Sequence, residues 1–506
     1  MGRMGGSGEA DVLVIGAGPA GLFAALELAR HGVRARVVER APQPHRQARA
    51  TALQPATLEI LQRAGCLDRV LGASVHVGFA RVFDPGLSCV SELALAGAGC
   101  PWEFQCSLPQ WRTEQILAER LTELGGAVDR GISVVSVTER EDSVLAGLEE
   151  ADGTRRQVEA AWVIGAGGAH SATRASMGED LAGSTYPGAA LVADVRVTCG
   201  LPRDGSALIG CPAGYVFLAP LPGGRWISFV GDLDRQEAEA LGRDPDPAAV
   251  TAAVGRRIPA DLIRVDDVAW ASTFRMQRRL APRLADSRRF LLGDAGHLSS
   301  PFGGEGLNSG LHDGANLAWK LALEARGRAR PGLLESFAVE RTAADRQVLE
   351  VSDQVHELAH AAAESARTGS FPAPPSPEAV AALVRARSML DVSYTGSPLA
   401  AEYVAPPGRA LDGPGPGDRY PGRAGLTGTR HTLLLSGDVP EGEVAPLRRR
   451  WRDLVDVVPA SGAGLTPGAV LVRPDGFIAF RAAPADRAGL RALDAHLDSY
   501  LVSLAG

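Results

Sequence analysis

Residues 12–21 read Val12-Leu13-Val14-Ile15-Gly16-Ala17-Gly18-Pro19-Ala20-Gly21. The run of aliphatic residues is a buried-strand signal, and the glycines Gly16-x-Gly18-x-x-Gly21 separate it from a helical pattern over Leu22 to His31. A second strand signal, Ala35 to Val38, ends at Glu39 and Arg40. This is one βαβ unit in which each glycine has its own task. Gly16 permits a tight turn, Gly18 lets a pyrophosphate approach the backbone, and Gly21 lets helix and strand pack closely. The helix N-terminus at Pro19 and Ala20 then faces the phosphates, and Glu39 is placed to accept hydrogen bonds from adenosine ribose hydroxyls.

The fingerprint leaves NAD and FAD open, and a distant stretch decides between them. Arg289 to His297 is a strand ending in Gly293-Asp294, followed by Pro301-Phe302-Gly303-Gly304-Glu305-Gly306-Leu307-Asn308 and a helix through Lys320. An Asp at a strand end suits a polyol chain. A glycine-rich turn at a helix N-terminus offers N–H groups to a ring carbonyl and admits a flat ring. The pair fits a ribityl chain and an isoalloxazine better than a nicotinamide.

Around these motifs the chain of 506 residues is long enough for two or three domains. Period-two runs such as Leu191–Val195, Tyr215–Leu218 and Trp226–Val230, with Gly-rich turns between them, predict an antiparallel sheet over 183–270. It is inserted into a discontinuous nucleotide domain, 1–182 and 271–366. A helical tract from Leu334 to Ala366 gives way to a Pro-rich stretch at Phe371–Pro377, and 367–421 reads as a linker with a helical segment. Residues 422–506 form a small α/β module with strands at His431–Leu435 and Gly468–Val472 and a closing helix from Arg487. The fold class is α/β: a Rossmann-like FAD-binding domain, an inserted antiparallel sheet and a C-terminal α/β domain.

A net charge of −7 argues against nucleic acid or anionic lipid as a partner. Six cysteines without CxxC spacing suit reduced thiols, and no stretch predicts a membrane span or a signal peptide, so a cytoplasmic protein is expected. No residue pattern calls for a metal. No Ser-His-Asp or Cys-His arrangement stands out.

Taken jointly, the motifs resemble those of class A, single-component flavoprotein monooxygenases of the para-hydroxybenzoate hydroxylase fold. More narrowly, the chain is similar to the phenol-hydroxylase and aromatic-polyketide-hydroxylase branch, with its thioredoxin-like C-terminal domain. The resemblance rests on Gly16-x-Gly18-x-x-Gly21 with Glu39-Arg40, Arg49-Ala50-x-x-Leu53, Leu108-Pro109-Gln110, Gly293-Asp294 and Pro301 to Asn308. It extends to Phe337-x-x-Glu340-Arg341, Tyr394-x-x-Ser397-Pro398, Pro416-Gly417-Asp418-Arg419 and Arg473-Pro474-Asp475-Gly476. By this likeness Glu39 and Arg40 bind the adenosine part of FAD, Arg49 and Gln110 the pyrophosphate and ribityl region, and Asp294 a ribityl hydroxyl. Gly303, Gly306, Leu307 and Asn308 line the isoalloxazine, and Pro301, Phe302 and Gly303 form the loop between flavin and substrate.

The implied chemistry is hydride reduction by a visiting NADPH or NADH, reaction with O2 to a C4a-hydroperoxide, and oxygen transfer to an aromatic or polyketide-type substrate in secondary metabolism. Only one complete GxGxxG is present, so the reductant has no dinucleotide domain of its own. Two departures from the family pattern stand out. Gly167 occupies the place of a carboxylate associated with FAD and NAD(P)H handling, and Glu305 replaces a glutamine of the flavin loop. The first keeps open a non-redox [4+2] cyclase of the decalin-forming type, and a Baeyer–Villiger outcome is a further alternative on the same fold. His170 is a candidate polar partner there and His297, near the flavin loop, a candidate proton relay, with structural roles as the alternative for both. Tyr215, Phe217, Trp226 and Phe229 are the expected pocket walls, although strand aromatics alternate faces. The last cysteine is Cys211, so the C-terminal module is not expected to do dithiol chemistry. A monomer or homodimer is expected.

Overall fold

The computed structural model describes residues 10–48, 50–97, 99–370, 376–406, 411–421, 426–437, 439, 441–460 and 468–504. Its first sheet is five-stranded and parallel, in the order Arg289–Leu291, Trp162–Gly165, Val12–Ile15, Ala35–Glu39, Val128–Arg130. The central strand is covered on both faces, which is why it reads as an unbroken apolar run. Val12 and Val14 face the helices Pro19–Arg30 and Gly306–Ala325, while Leu13 and Ile15 face an antiparallel meander over Ile132–Glu139, Val144–Glu150 and Arg155–Ala160.

The second sheet has seven strands and is wider than the sequence predicts. Its inner strands, Ala189–Cys199, Gly205–Cys211, Gly214–Pro220 and Trp226–Leu233, fall where the period-two pattern lies. One edge strand, however, runs Ile263–Phe274, and the other edge is built by Phe79–Phe83 and Cys89–Ala94 from far upstream. Phe79–Phe83 pairs in parallel with Gly205–Cys211, a long-range register that no local pattern announces. The sheet is therefore not confined to 183–270. Behind it lies the 34-residue helix Glu335–Thr368, which approaches so closely that a Cβ at Gly210 would sit 2.2 Å from the carbonyl oxygen of Ala362.

The C-terminal sheet follows the βαβ–ββα path of a thioredoxin-like fold. His431–Ser436, the helix Glu441–Arg450 and a parallel Val455–Pro459 are followed by antiparallel Gly468–Val472 and Ile478–Ala483 and the helix Arg487–Tyr500. Its outer strand, Ala401–Val404, comes from the stretch read as linker, so this sheet begins before residue 422. That stretch also holds the helix Pro377–Arg387, while Phe371 and its following prolines lie outside the described residues.

Docking of the last unit is both apolar and ionic. Trp319 and Leu323, on the helix Gly306–Ala325, share one core with Leu433, Trp451, Leu471 and Leu493. Beside them Glu340, 1% exposed, accepts hydrogen bonds from Lys320 at 2.7 Å, Asn316 at 2.7 Å, Ser397 at 2.5 Å and Arg473 at 2.5 and 2.9 Å. Arg473 also pairs with Asp475.

Burial of histidines sets an acid limit on this fold. His31, His312 and His431 are buried neutral, and burial, reinforced by neighbouring arginines, pushes each pKa down to about 3. A folded value below the unfolded one means stability is intact above pH about 6.5 and falls as acid approaches the folded value. Each histidine contributes up to about 1.4 kcal/mol per pH unit in that window. Melting temperatures measured from pH about 7.5 down to about 5 are expected to drop progressively below 6.5. A flat profile would show that these rings are charged in the folded state.

Candidate active site

The three glycines of the first motif do three different things. Gly16 has φ +108°, and a Cβ there would lie 2.3 Å from the carbonyl oxygen of Ala166, on the neighbouring strand's turn. A Cβ on Gly21 would lie 2.1 Å from the carbonyl oxygen of Gly16, so helix and strand touch backbone to backbone. At Gly18 nothing lies within 4 Å of a Cβ. The turn is thus closed by protein at Gly16 and Gly21 and open at Gly18, the geometry a pyrophosphate needs at a helix N-terminus. Glu39 borders the opening, its Oε2 accepting the Ala17 N–H at 2.8 Å and its Oε1 the Ala41 N–H at 2.9 Å. Arg40 is exposed next to it.

The second motif is seated against the first. Ala20 is the wedge: Cβ atoms built on Gly293 and on Gly310 would each lie 3.1 Å from its methyl group. Two glycines, one at the strand end and one in the following helix, therefore leave the space that the first helix enters. Gly293, at φ +57°, donates its N–H to Asp313 Oδ2 at 2.9 Å, which holds the turn that carries Asp294, an exposed residue.

Asp313 belongs to a buried charge cluster with His297, Asp345 and Arg341. His297 Nε2 lies 2.9 Å from Asp313, and Arg341 donates to Asp313 at 2.7 Å and to Asp345 at 2.9 Å. Burial by itself would lower the His297 pKa, but Asp345 and Asp313 outweigh it and lift it to about 9. The two carboxylates favour the protonated ring, which shares Asp313 with the Gly293 N–H. Its three ligand-type groups lie within 4.8 Å of one another, yet Arg341 already serves both carboxylates.

In the flavin loop, Asn308 is fully buried and stitches backbone to backbone. Its amide donates to Ala52 at 2.8 Å and Gly304 at 2.6 Å, and its Oδ1 accepts the Gln54 N–H at 2.9 Å. Its side chain thus shapes the loop, while Gly306 and Leu307 remain half-buried at its rim. Gln110 opens the helix Gln110–Glu123 and donates to Glu114 at 2.9 Å. Arg49 lies outside the described residues. Gly167 is exposed and its nearest neighbours are ordinary contacts at 3.8 Å or more, so a side chain there is sterically admissible. His170 is exposed as well.

Phe302 links the loop to the seven-stranded sheet. Its ring lies 5.1 Å from Tyr215 and 5.8 Å from Phe229, and Phe217 is 6.0 Å from Phe229. These aromatics share one face with Val192, Ile227 and Met276. Trp226 does not join them. It is three residues from Phe229, hence of opposite parity, and packs in the core on the other face with Arg203 stacked 4.8 Å over its ring. The Tyr215 hydroxyl is buried and has no hydrogen-bond partner among the described residues. The ring lies flat on the neighbouring strand, where a Cβ at Gly231 would fall 2.2 Å from the hydroxyl oxygen.

One feature escapes sequence reading. His360 Nδ1 pairs with Asp232 at 2.7 Å, its Nε2 meets His356 Nε2 at 2.8 Å, and His356 Nδ1 is 3.5 Å from Ser300 Oγ, at the start of the flavin loop. The chain leads from a half-exposed imidazole to the loop's back. The pair His356-x-x-x-His360 on a predicted helix was its available signal, since positions four apart share a face.

These observations define an FAD-type dinucleotide site: an open glycine turn at a helix N-terminus, a carboxylate at its border, and a second glycine loop packed against the first. Comparison with known proteins agrees. The FAD binding domain family matches residues 9–352, and the family described as aromatic-ring hydroxylase, C-terminal, matches 417–501. The 6-methylpretetramide 4-monooxygenase of Streptomyces rimosus is 32% identical over 97% of this chain and 94% of that protein. Among solved structures, aklavinone-11 hydroxylase in complex with FAD and aklavinone superposes with a TM-score of 0.78 at 26% identity, covering 97% of this chain and 99% of that one. A Diels-Alderase of pyrroindomycin biosynthesis has a TM-score of 0.74 at 27% identity over 97% and 99% of the two chains. The chain belongs to the FAD-dependent aromatic-ring hydroxylases, the class A flavoprotein monooxygenases. Among the described residues, no helix is long and apolar enough to cross a membrane.

Proposed function

We propose that this monooxygenase hydroxylates an aromatic carbon of a polycyclic, polyketide-type small molecule, with NADPH or NADH as a transient reductant. The observation that carries this reading is Phe302, which belongs both to the glycine loop and to the aromatic wall of Tyr215, Phe217 and Phe229. A flat substrate against that wall lies beside the loop that would hold the flavin ring. Bound FAD supplies the electron transfer and oxygen activation. Gly16, Gly18 and Gly21 would receive its pyrophosphate, Glu39 its ribose, Asp294 its ribityl chain, and the loop Gly303 to Leu307 its ring.

The protein's own part is to orient and to keep water out. The apolar wall limits solvent access, which protects a reactive oxygen donor from loss. His356 with His360 and Asp232 gives a proton a route between loop and solvent. The relatives named for aklavinone and 6-methylpretetramide are a hydroxylase and a monooxygenase, and that oxygenase character disfavours the non-redox cyclase.

The test is NAD(P)H consumption by the yellow holoprotein in the presence of tetracyclic and anthracyclinone-type aromatic polyketides. Substrate-dependent oxidation giving a product one oxygen atom heavier, with ring connectivity intact, is expected. Product of unchanged mass formed without NAD(P)H or O2 would refute it. Gly167→Asp probes the reductant arm. The site has room for the side chain, so the variant is expected to keep its stability within about 0.5 kcal/mol. Reduction by NADPH in anaerobic stopped flow is expected to quicken; an unchanged rate would separate this position from NAD(P)H handling.

A further inference from the structure

Glu305 lies in the flavin loop at the residue where the helix Gly306–Ala325 begins, and it is 0% exposed. Its carboxyl group folds back over the loop: a Cβ built on Gly303 would fall 1.6 Å from Oε2 and 2.4 Å from Oε1. Glycine at 303 is thus what leaves room for this carboxyl. Neither oxygen has a hydrogen-bond partner among the described residues, although buried acids ordinarily recruit donors. The charged group whose field acts on it is Arg387, the last residue of the helix Pro377–Arg387, whose Nε also has no hydrogen-bond partner among the described residues. Burial drives the carboxyl's pKa up, the Arg387 charge pulls it back, and the balance lies at about 7. The aspartates and His297 of the buried charge cluster do not enter this balance.

We infer that Glu305 is a redox-linked proton acceptor, taking up one proton when two electrons enter the ring held by its loop and releasing it when they leave. This rests on the reading of that loop as the FAD ring site. The physical cause is charge. The reduced ring is anionic, and a like charge close to a carboxylate disfavours its ionised form. Where Glu305 is ionised beside the oxidised ring, reduction consumes two electrons and two protons: one proton goes to the ring and one to the carboxylate. Where Glu305 is already protonated, the same two electrons bring one proton, to the ring. NAD(P)H supplies the electrons in turnover, and dithionite supplies them in the test. A neutral acid formed as the ring is reduced also spares the loop a second buried anion, which would otherwise oppose reduction.

The experiment is an anaerobic dithionite titration of the FAD holoprotein against a reference dye, from pH about 6 to about 9, for the wild type, Glu305→Gln and Arg387→Met. The wild-type potential is expected to fall with pH at the one-proton slope below pH about 7 and at twice that slope above it. Ionisation of the ring itself works in the opposite sense, making the slope shallower as pH rises. Glu305→Gln is expected to lose the steepening and to coincide with the wild type below the break. Arg387→Met, which removes the counter-charge, is expected to move the break to higher pH. A wild-type slope that never steepens, or a break that survives in Glu305→Gln, overturns the inference while the protein remains a flavoprotein. If Glu305→Gln fails to fold, the wild-type slope and the Arg387→Met shift decide. A colourless protein that takes up no added FAD overturns the flavin reading itself.

Discussion

Glu340→Gln is expected to lower the stability of the folded chain by about 3–5 kcal/mol, the usual loss when a buried ion cluster is deprived of one charge. The cluster as it stands is balanced, with Lys320 and Arg473 against Glu340 and Asp475, all of them buried. Its carboxylate lies well below the usual range: burial opposes ionisation, but Arg473 and Lys320 outweigh burial. Substituting an amide removes the anion with almost no change of shape, so packing is kept and two cations face a single aspartate. Lys320 has already been drawn down to about 8 by burial, with Glu340 restraining the fall, and without Glu340 it would shed its proton near neutral pH.

The decisive comparison is a cycle. Lys320→Met with Glu340→Gln restores neutrality, so the double variant is expected to be more stable than Glu340→Gln by about 1–3 kcal/mol. Additive losses in the two singles, read by chemical denaturation, would show that the cluster is a set of separate hydrogen bonds. Because Arg473 and Asp475 come from the C-terminal unit and Lys320 and Glu340 from the helices beneath it, limited proteolysis is expected to release that unit first in Glu340→Gln. The helix Gly306–Ala325 carries Lys320 at one end and the flavin loop at the other, so docking of the last unit bears on the rigidity of the site.

Much of this was legible in the sequence, and the reasons differ by residue. Gly16, Gly18 and Gly21 were readable because each role is a backbone role, fixed by spacing within one βαβ unit. The strands around Tyr215 and Phe229 were readable as short apolar runs set between glycine-rich turns, with both faces buried. Strands Phe79–Phe83 and Cys89–Ala94 were not, since their place depends on a partner more than a hundred residues away. Trp226 was assigned to the pocket by residue type, and strand parity sends it to the other face. Asn308 and His297 sit in the right motifs, but whether a polar side chain serves ligand or scaffold depends on which backbone groups come near it, and those lie on other segments. The relay of Asp232, His360, His356 and Ser300 joins three separate elements, of which the sequence shows only the histidine pair.

Gly18→Ala should give a folded, colourless protein, whereas Gly21→Ala should give one that is poorly folded whether or not FAD is supplied. At Gly18 the backbone has φ −74° and ψ 178°, open to any residue, and an added methyl group meets no protein atom within 4 Å. Alanine is a poorer helix N-cap than glycine by several tenths of a kcal/mol. It also restricts the unfolded chain by a similar amount, so the two effects offset and the melting temperature without FAD is expected to stay unchanged. What the methyl group does occupy is the open side of the turn. Loss of close pyrophosphate approach is expected to weaken FAD binding by about 2–3 kcal/mol, roughly 30- to 150-fold in Kd. At Gly21 the same methyl group would lie 2.1 Å from the Gly16 carbonyl oxygen, and helix and strand must separate. That separation moves Ala20 out of the slot between Gly293 and Gly310, so the two halves of the site come apart together. Equal loss of apo stability in both variants, or retention of FAD by Gly18→Ala, would place the pyrophosphate somewhere other than this turn.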